Sequence, residues 1–197
     1  MLLVSSDQAV RFPLVTPTCT ARLRLESIGP SRVDDLWLLH QDPGIAAWYA
    51  GTWSRDEAGR RAAGFARSWE NDGIGKWLAY DRVTNELVGR GGASKAIVAG
   101  EERVEVGWAV RRVLWGRGYA TEIGEAGIRL ADEVLRPEEI VAYPEVHNRR
   151  SRSVMKRLGM TFVGEIREPG LVKGRAGLHD DAPFALYALQ LRGRVHK

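Results

Sequence analysis

Between Arg103 and Leu135 the chain changes its hydrophobic period once, and that change restricts the fold more than any other feature. Val104, Val106, Trp108 and Val110 alternate with Glu105, Gly107 and Ala109, the period of a strand. Ile123, Ala126, Leu130 and Val134 then recur at helical spacing and give the segment from about Ala120 to Leu135 one apolar stripe. The turn between them carries Gly116 and Gly118. The first turn of a helix has unpaired N–H groups and a partial positive charge, and glycines let a ligand approach the backbone closely. Strand, glycine turn and helix in succession therefore form an anion site suited to a pyrophosphate, to which Arg117 adds a cation. The turn lacks the Lys-Ser/Thr pair of a Walker loop and the third glycine of a dinucleotide fingerprint. Alone, G-x-G fits a C-cap or a bulge equally well.

The flanking sequence predicts a mixed α/β order in a single domain. Residues 1–17 read as a loose leader and 18–192 as the domain. Ala21–Ser27 alternates as a strand. A helix over Ser31–Gln41 with Ser31 as N-cap is broken at Asp42-Pro43-Gly44, and a second runs from a capping box at Ser54–Glu57 to Asn71. Trp77–Asp81, Leu87–Ser94 and Arg103–Arg111 are closely spaced strands, which predicts antiparallel pairing. After the glycine turn and its helix come a strand at Ile140–Tyr143, a helix at Ser151–Leu158 ended by Gly159, and closing strands at Thr161–Glu168 and Phe184–Leu191. This is not a doubly wound parallel sheet.

Composition sets the remaining bounds. With 197 residues, 44% apolar and 27% charged, the chain suits one soluble domain. No apolar run reaches the roughly 20 residues of a membrane span. The first residues carry no secretory pattern, and the single Cys19 can form no internal disulfide or metal cluster. These features predict a cytoplasmic protein. The net charge of +4 favours polyanionic partners, and the excess gathers at Arg111, Arg112 and Arg117 and again from Arg149 to Arg157, beside the candidate ligand-binding turns.

Trp108-Ala109-Val110 followed by Trp115-Gly116-Arg117-Gly118-Tyr119-Ala120-Thr121-Glu122 resembles the cofactor-binding motif of the GNAT acetyltransferase superfamily. Trp115 stands where many members carry Arg or Gln; Trp is common in the branch of the ribosomal-protein-alanine N-acetyltransferases (RimJ/RimL type), which this form resembles. Val141–Met160, with Asn148-Arg149-Arg150-Ser151 and Lys156-Arg157-Leu158-Gly159-Met160, resembles a second block of that branch, and Thr20–Leu25 its opening strand. The resemblance spans about residues 18–191.

It implies a GNAT fold, a mostly antiparallel, splayed mixed sheet flanked by helices, and acetyl transfer from acetyl-CoA to a primary amine by direct attack in a ternary complex. The amides of Trp115, Gly116, Arg117, Gly118, Tyr119, Ala120 and Thr121 would hold the pyrophosphate. Trp108, Ala109 and Val110 would pair with the pantetheine arm where this strand and Ile140–Tyr143 part. Asn148 would contact the pantetheine or tie down the loop, and Ser151 would sit by the sulfur. Direct attack needs a base and benefits from a donor to the leaving thiolate. Ser151 fits the donor role as well as it fits a helix N-cap. Glu105, on one strand face with Gly107 and Ala109, is the base candidate; an exposed carboxylate paired with Arg103 or another cation is the competing reading, a bulge would change its face, and a water as base stays open.

Tyr119 and Tyr143 are alternative proton donors, more often packing residues. His147 reads as a surface-loop histidine, and His179-Asp180-Asp181 as a polar loop without metal. The acceptor pocket is expected from the early helices and a loop over Gly170–Asp181; Trp37, Trp48, Tyr49, Trp53 and Trp69 make that half aromatic, with core packing as the default and some of Trp48, Tyr49 and Trp53 able to line the slot. The acceptor is a peptide N-terminus, a small amine or an aminoacyl group; a non-catalytic acyl-CoA-binding domain and a basic ribosome- or tRNA-associated protein are the alternatives. The resemblance suggests a monomer or homodimer with no membrane partner.

Overall fold

The computed structural model describes residues 18–192; the leader predicted over 1–17 lies outside them. β1 (Thr18–Cys19), β2 (Leu23–Ser27), β3 (Lys76–Asp81), β4 (Leu87–Val98), β5 (Glu101–Val110), β6 (Glu139–Ala142), β7 (Thr161–Leu171) and β8 (Leu178–Gln190) form one sheet in the order β1-β2-β3-β4-β5-β6-β8-β7. Every neighbouring pair is antiparallel except β5–β6, which is parallel. That parallel ladder holds only two residue pairs, Val104↔Ile140 and Glu105↔Val141. Beyond Glu105 the two strands part, which opens the sheet at its centre. Among the described residues no helix is long and apolar enough to cross a membrane.

The helices divide between the sheet faces. α4 (Tyr119–Val134) lies on the face of Leu25, Trp77, Ala79, Val88 and Val110, where Ile123 and Ala126 are buried. The predicted stripe shifts at its end, since Val134 is exposed and Ala131 enters the core instead. The opposite face, with Leu78, Tyr80 and Ala109, receives α1 (Val33–Leu39) and α3 (Arg55–Asp72). α2 (Pro43–Ala46) joins them, and α5 (Arg149–Arg157) follows β6.

Several local expectations are corrected. Ser31 caps nothing: Pro30–Arg32 is a 3-10 turn, and Arg32 occupies the N-cap of α1 without a side-chain bond. Ser54 does cap α3 by accepting from the Glu57 amide, but the Glu57 carboxylate turns to Arg60 and Arg61, so only half of a capping box forms. Asp42-Pro43-Gly44 breaks α1 and also begins α2, because Asp42 accepts from the Gly44 and Ile45 amides and Pro43 is preset for a first turn. The loop expected over Gly170–Asp181 is a β-hairpin end, with Gly170 paired to His179 and Leu171 to Leu178.

Candidate functional site

The glycine turn lies at the C-terminal end of β5. Gly116 and Gly118 have φ of +79° and +83°, which favours residues without Cβ. Gly118 is the N-cap of α4, and no side chain caps this end. The first-turn amides of Tyr119, Ala120 and Thr121 are therefore left for a ligand. Trp115 does not face the cradle. Its indole N–H donates to the Val110 carbonyl at 2.7 Å, and its ring lies where a Cβ on Gly44 would meet it at 2.8 Å, so it fixes the turn's shape. Thr121 Oγ1 is buried without a partner.

A clamp that sequence reasoning missed holds the same turn from outside. Arg22 donates Nη1 to the Arg117 carbonyl at 2.8 Å and Nε to Glu122 Oε2 at 2.7 Å, while Thr20 Oγ1 donates to Glu122 Oε1 at 2.5 Å. Burial would raise the Glu122 pKa, but the hydrogen bonds from Thr20 and Arg22 outweigh it and hold the carboxyl below its ordinary value. All three residues stand in the quoted motifs; Thr20 and Arg22 meet Glu122 across about a hundred positions, which leaves no local signal.

The strand edge beside the opening is also defined. The Arg111 amide donates to the Val88 carbonyl of β4. Along an antiparallel strand the peptide groups alternate sides, so Ala109 and Gly107 also face β4, while Val106, Trp108 and Val110 face the gap. Of the three residues expected to pair with a pantetheine, Ala109 therefore has its peptide groups committed to the sheet. The Val110 carbonyl is taken by Trp115 as well, which leaves the Trp108 peptide groups and the Val110 amide.

Across the gap, Asn148 is the N-cap of α5: its Oδ1 accepts from the Ser151 amide at 3.1 Å. Ser151 is thus not the cap, and its half-buried hydroxyl is free to donate elsewhere. Trp48 and His147 lie face to tilted face at 5.3 Å, and the Arg150 guanidinium sits 4.7 Å over the Trp115 ring. Pro43, Trp48, Arg112, Trp115, His147 and Arg150 line a trough of about 500 Å³ that joins the glycine turn to the start of α5. His147 sits half-buried in the turn before α5, as a loop histidine, and lines this trough; burial first and then Lys173 hold its pKa down.

Glu105 lies on the face away from α4, as the strand period predicts, and the β4–β5 ladder runs without a bulge. Its Oε2 accepts from Lys76 Nζ at 2.7 Å, and Lys76, only 6% exposed, also donates to the Gly92 carbonyl at 2.9 Å. The cation that pairs with it is Lys76; Arg103 turns to Glu101 and Glu139. Oε1 lies over Gly107, where a Cβ would stand 2.6 Å from it. Tyr143 is near: burial first, then Glu105, Glu168 and Tyr49, push its hydroxyl up to about 12, which makes it a donor and not a base near neutrality. Tyr119 is turned away, donating to Asp81 at 3.1 Å.

The predicted aromatic half divides. Trp69 is buried against Trp77 in the core under α4 and donates to the Lys76 carbonyl, in line with the core-packing default. Trp37 stacks with Arg55. Trp53 is buried and stacks on His40, with ring centroids 3.3 Å apart. His179 is in strand β8, and no group of three or more possible metal ligands occurs among the described residues.

A family model described as an acetyltransferase (GNAT) domain matches residues 22–161, and the chain belongs to that family. Family membership supports acetyl transfer from acetyl-CoA. The uncharacterized protein YkkB of Bacillus subtilis is 25% identical over 154 residues, which is 78% of this chain and 90% of that protein. The solved acetyltransferase of Agrobacterium tumefaciens superposes with a TM-score of 0.70 at 21% identity, covering 94% of this chain and 99% of that one. RimL, a ribosomal L7/L12 alpha-N-protein acetyltransferase solved with coenzyme A, superposes at 0.68 with 19% identity, covering 87% and 95%. The fold is a GNAT fold, one mixed α/β domain with an open, mostly antiparallel sheet.

Proposed function

We propose that the protein transfers an acetyl group from acetyl-CoA to a primary amine, the nitrogen attacking the thioester directly in a ternary complex. The observation that carries this reading is the parting of β5 from β6 beyond Glu105, directly beside an uncapped helix N-terminus reached through a glycine turn. The free first-turn amides and Arg117 bind the pyrophosphate. The Trp108 peptide groups and the Val110 amide meet the pantetheine arm. Asn148 shapes the start of α5, and Ser151 Oγ donates toward the sulfur.

Glu105 Oε1 accepts the proton that the ammonium must lose. The neutral nitrogen forms the new C–N bond, the C–S bond breaks, and the leaving thiolate takes the second nitrogen proton, assisted by Ser151. The products are an N-acetyl amide and coenzyme A. A metal has no step in this scheme. RimL, whose printed name gives it a protein N-terminus as acceptor, makes such a terminus one candidate; a small amine is the other. Thiol release from acetyl-CoA tests the reading against a panel of small amines and N-terminal peptides. Ser151→Ala should lower kcat by roughly 10²-fold. Absence of release with every amine, despite measured acetyl-CoA binding, would favour a non-catalytic acyl-CoA-binding domain.

A further inference from the structure

Among the described residues the buried Asp, Glu, His, Lys and Arg side chains are Glu26, His40, Lys76, Arg90 and Glu145. Glu26 is paired with Arg24 and Arg32, and Lys76 with Glu105. Arg90, on β4 and 6% exposed, has no carboxylate within 4 Å among the described residues. Its Nε donates to His40 Nε2 at 2.9 Å and one Nη to Tyr49 Oη at 2.6 Å. The rings of Tyr49, Trp53 and Phe65 stand 5.3–5.7 Å from the guanidinium carbon.

Such a shell binds a cation only in part. Cation–π contacts offset only part of what burying an unpaired ion costs. His40 cannot supply the missing charge. Burial first, then Arg90 and Arg61, lower its pKa to about 2, so it stays a neutral acceptor, with Nδ1 buried and unpartnered. A charge held this way at a stability cost points to a ligand that completes it.

The register says which ligand. Arg90 pairs with Ala109, Gly92 with Gly107 and Ser94 with Glu105, so Arg90 and Glu105 occupy one sheet face with a small-residue floor between them. α4 and its N-terminal cradle lie on the other face, where Gly127 touches Gly92 and Ala93. The cofactor's phosphates at the α4 terminus are therefore separated from Arg90 by the sheet. On the outer side Arg90 is covered by Tyr49, 36% exposed, which precedes two left-handed residues, Ala50 at φ +57° and Gly51 at +130°.

Resting on the acetyltransferase reading, we propose that the acceptor is an amine that also carries an anionic group, a carboxylate or a phosphate, and that Arg90 receives this anion while Glu105 faces the amine. The test uses the full chain with acetyl-CoA and matched acceptors: γ-aminobutyrate against its amide, O-phosphoethanolamine against ethanolamine, and a peptide with aspartate at its second position against the asparagine counterpart. The first two pairs report a small-molecule source of the anion and the third a protein terminus.

In the wild type, the anionic member of at least one pair should have a kcat/KM at least 10-fold above its neutral partner. Arg90→Gln should bring the pair within 2-fold while acetyl-CoA binding persists, and Arg90→Lys should keep part of the preference. Equal turnover within every pair overturns the inference and leaves the acetyltransferase reading standing. Failure of every anionic acceptor to react or to bind the CoA-loaded protein also overturns it. Loss of acetyl-CoA binding in the wild type instead removes the underlying reading. If Arg90→Gln does not fold by circular dichroism, the wild type and Arg90→Lys decide: a preference left untouched by Arg90→Lys excludes Arg90 as the anion's partner.

Discussion

Gly107→Ala separates the reactive role of Glu105 from any role in stability. The added Cβ would stand 2.6 Å from Glu105 Oε1 and 3.6 Å from both Glu105 Cδ and Lys76 Nζ. Non-bonded heavy atoms are at ease only near 3.5 Å, so the carboxylate must retreat by about 1 Å. It is the end of a flexible side chain, and the Cβ meets no backbone atom among these nearest contacts. The stability cost is therefore small, and the loss of unfolded-state freedom offsets it by about 0.4–1 kcal/mol. The melting temperature should stay within about 4 °C of wild type. Catalytic geometry is less forgiving: a misplacement of about 1 Å costs on the order of 10²-fold. The measurement is thiol release at saturating acetyl-CoA, with melting followed by circular dichroism, on wild type, Gly107→Ala and Glu105→Gln. Both variants should lose kcat while Gly107→Ala keeps its fold and its acetyl-CoA affinity. Full activity in Gly107→Ala would refute the assignment of Glu105 Oε1 as proton acceptor.

Two further outcomes follow from named contacts. His40, held neutral in the folded state down to about pH 2 against an ordinary 6.5, takes up its proton only on unfolding as the pH drops below 6.5. Its contribution to stability is complete above 6.5 and declines by about 1.4 kcal/mol per pH unit below that, so urea unfolding between pH 7 and 5 should be shallower in pH for His40→Gln. An unchanged slope would contradict the burial of a neutral imidazole. Trp115→Phe removes the indole bond to the Val110 carbonyl, should destabilise by about 1 kcal/mol, and should weaken acetyl-CoA binding in titration calorimetry; unaltered affinity would show that the turn keeps its shape without it.

The elements that were legible in the sequence are those with a strong local period. β5 and α4 stand out because alternation passes into a 3.6 repeat across two glycines, and Glu105 falls on the predicted face because the ladder has no bulge. Caps were harder: Ser31, Ser54 and Ser151 look alike in sequence, yet only Ser54 caps, because Asn148 and a 3-10 turn supply the other ends. The hairpin end within Gly170–Asp181 looks like a loop in sequence because its polar residues hide a pairing fixed by β8. The charged interior was least legible. Lys76 and Arg90 each interrupt a run of small and apolar strand residues, a signal in itself, but their partners Glu105, His40 and Tyr49 come from distant segments.

The central claim, that the glycine turn holds the pyrophosphate of acetyl-CoA, is tested most directly by calorimetric titration of acetyl-CoA into wild type and Gly118→Trp, each checked for fold by circular dichroism. At Gly118 the backbone is left-handed, and a Cβ would lie 3.4 Å from the Arg22 guanidinium at the cradle's edge. The wild type should bind, and a folded Gly118→Trp should lose at least about 10²-fold in affinity, roughly 2.7 kcal/mol. A folded Gly118→Trp that binds acetyl-CoA as tightly as wild type would place the pyrophosphate elsewhere.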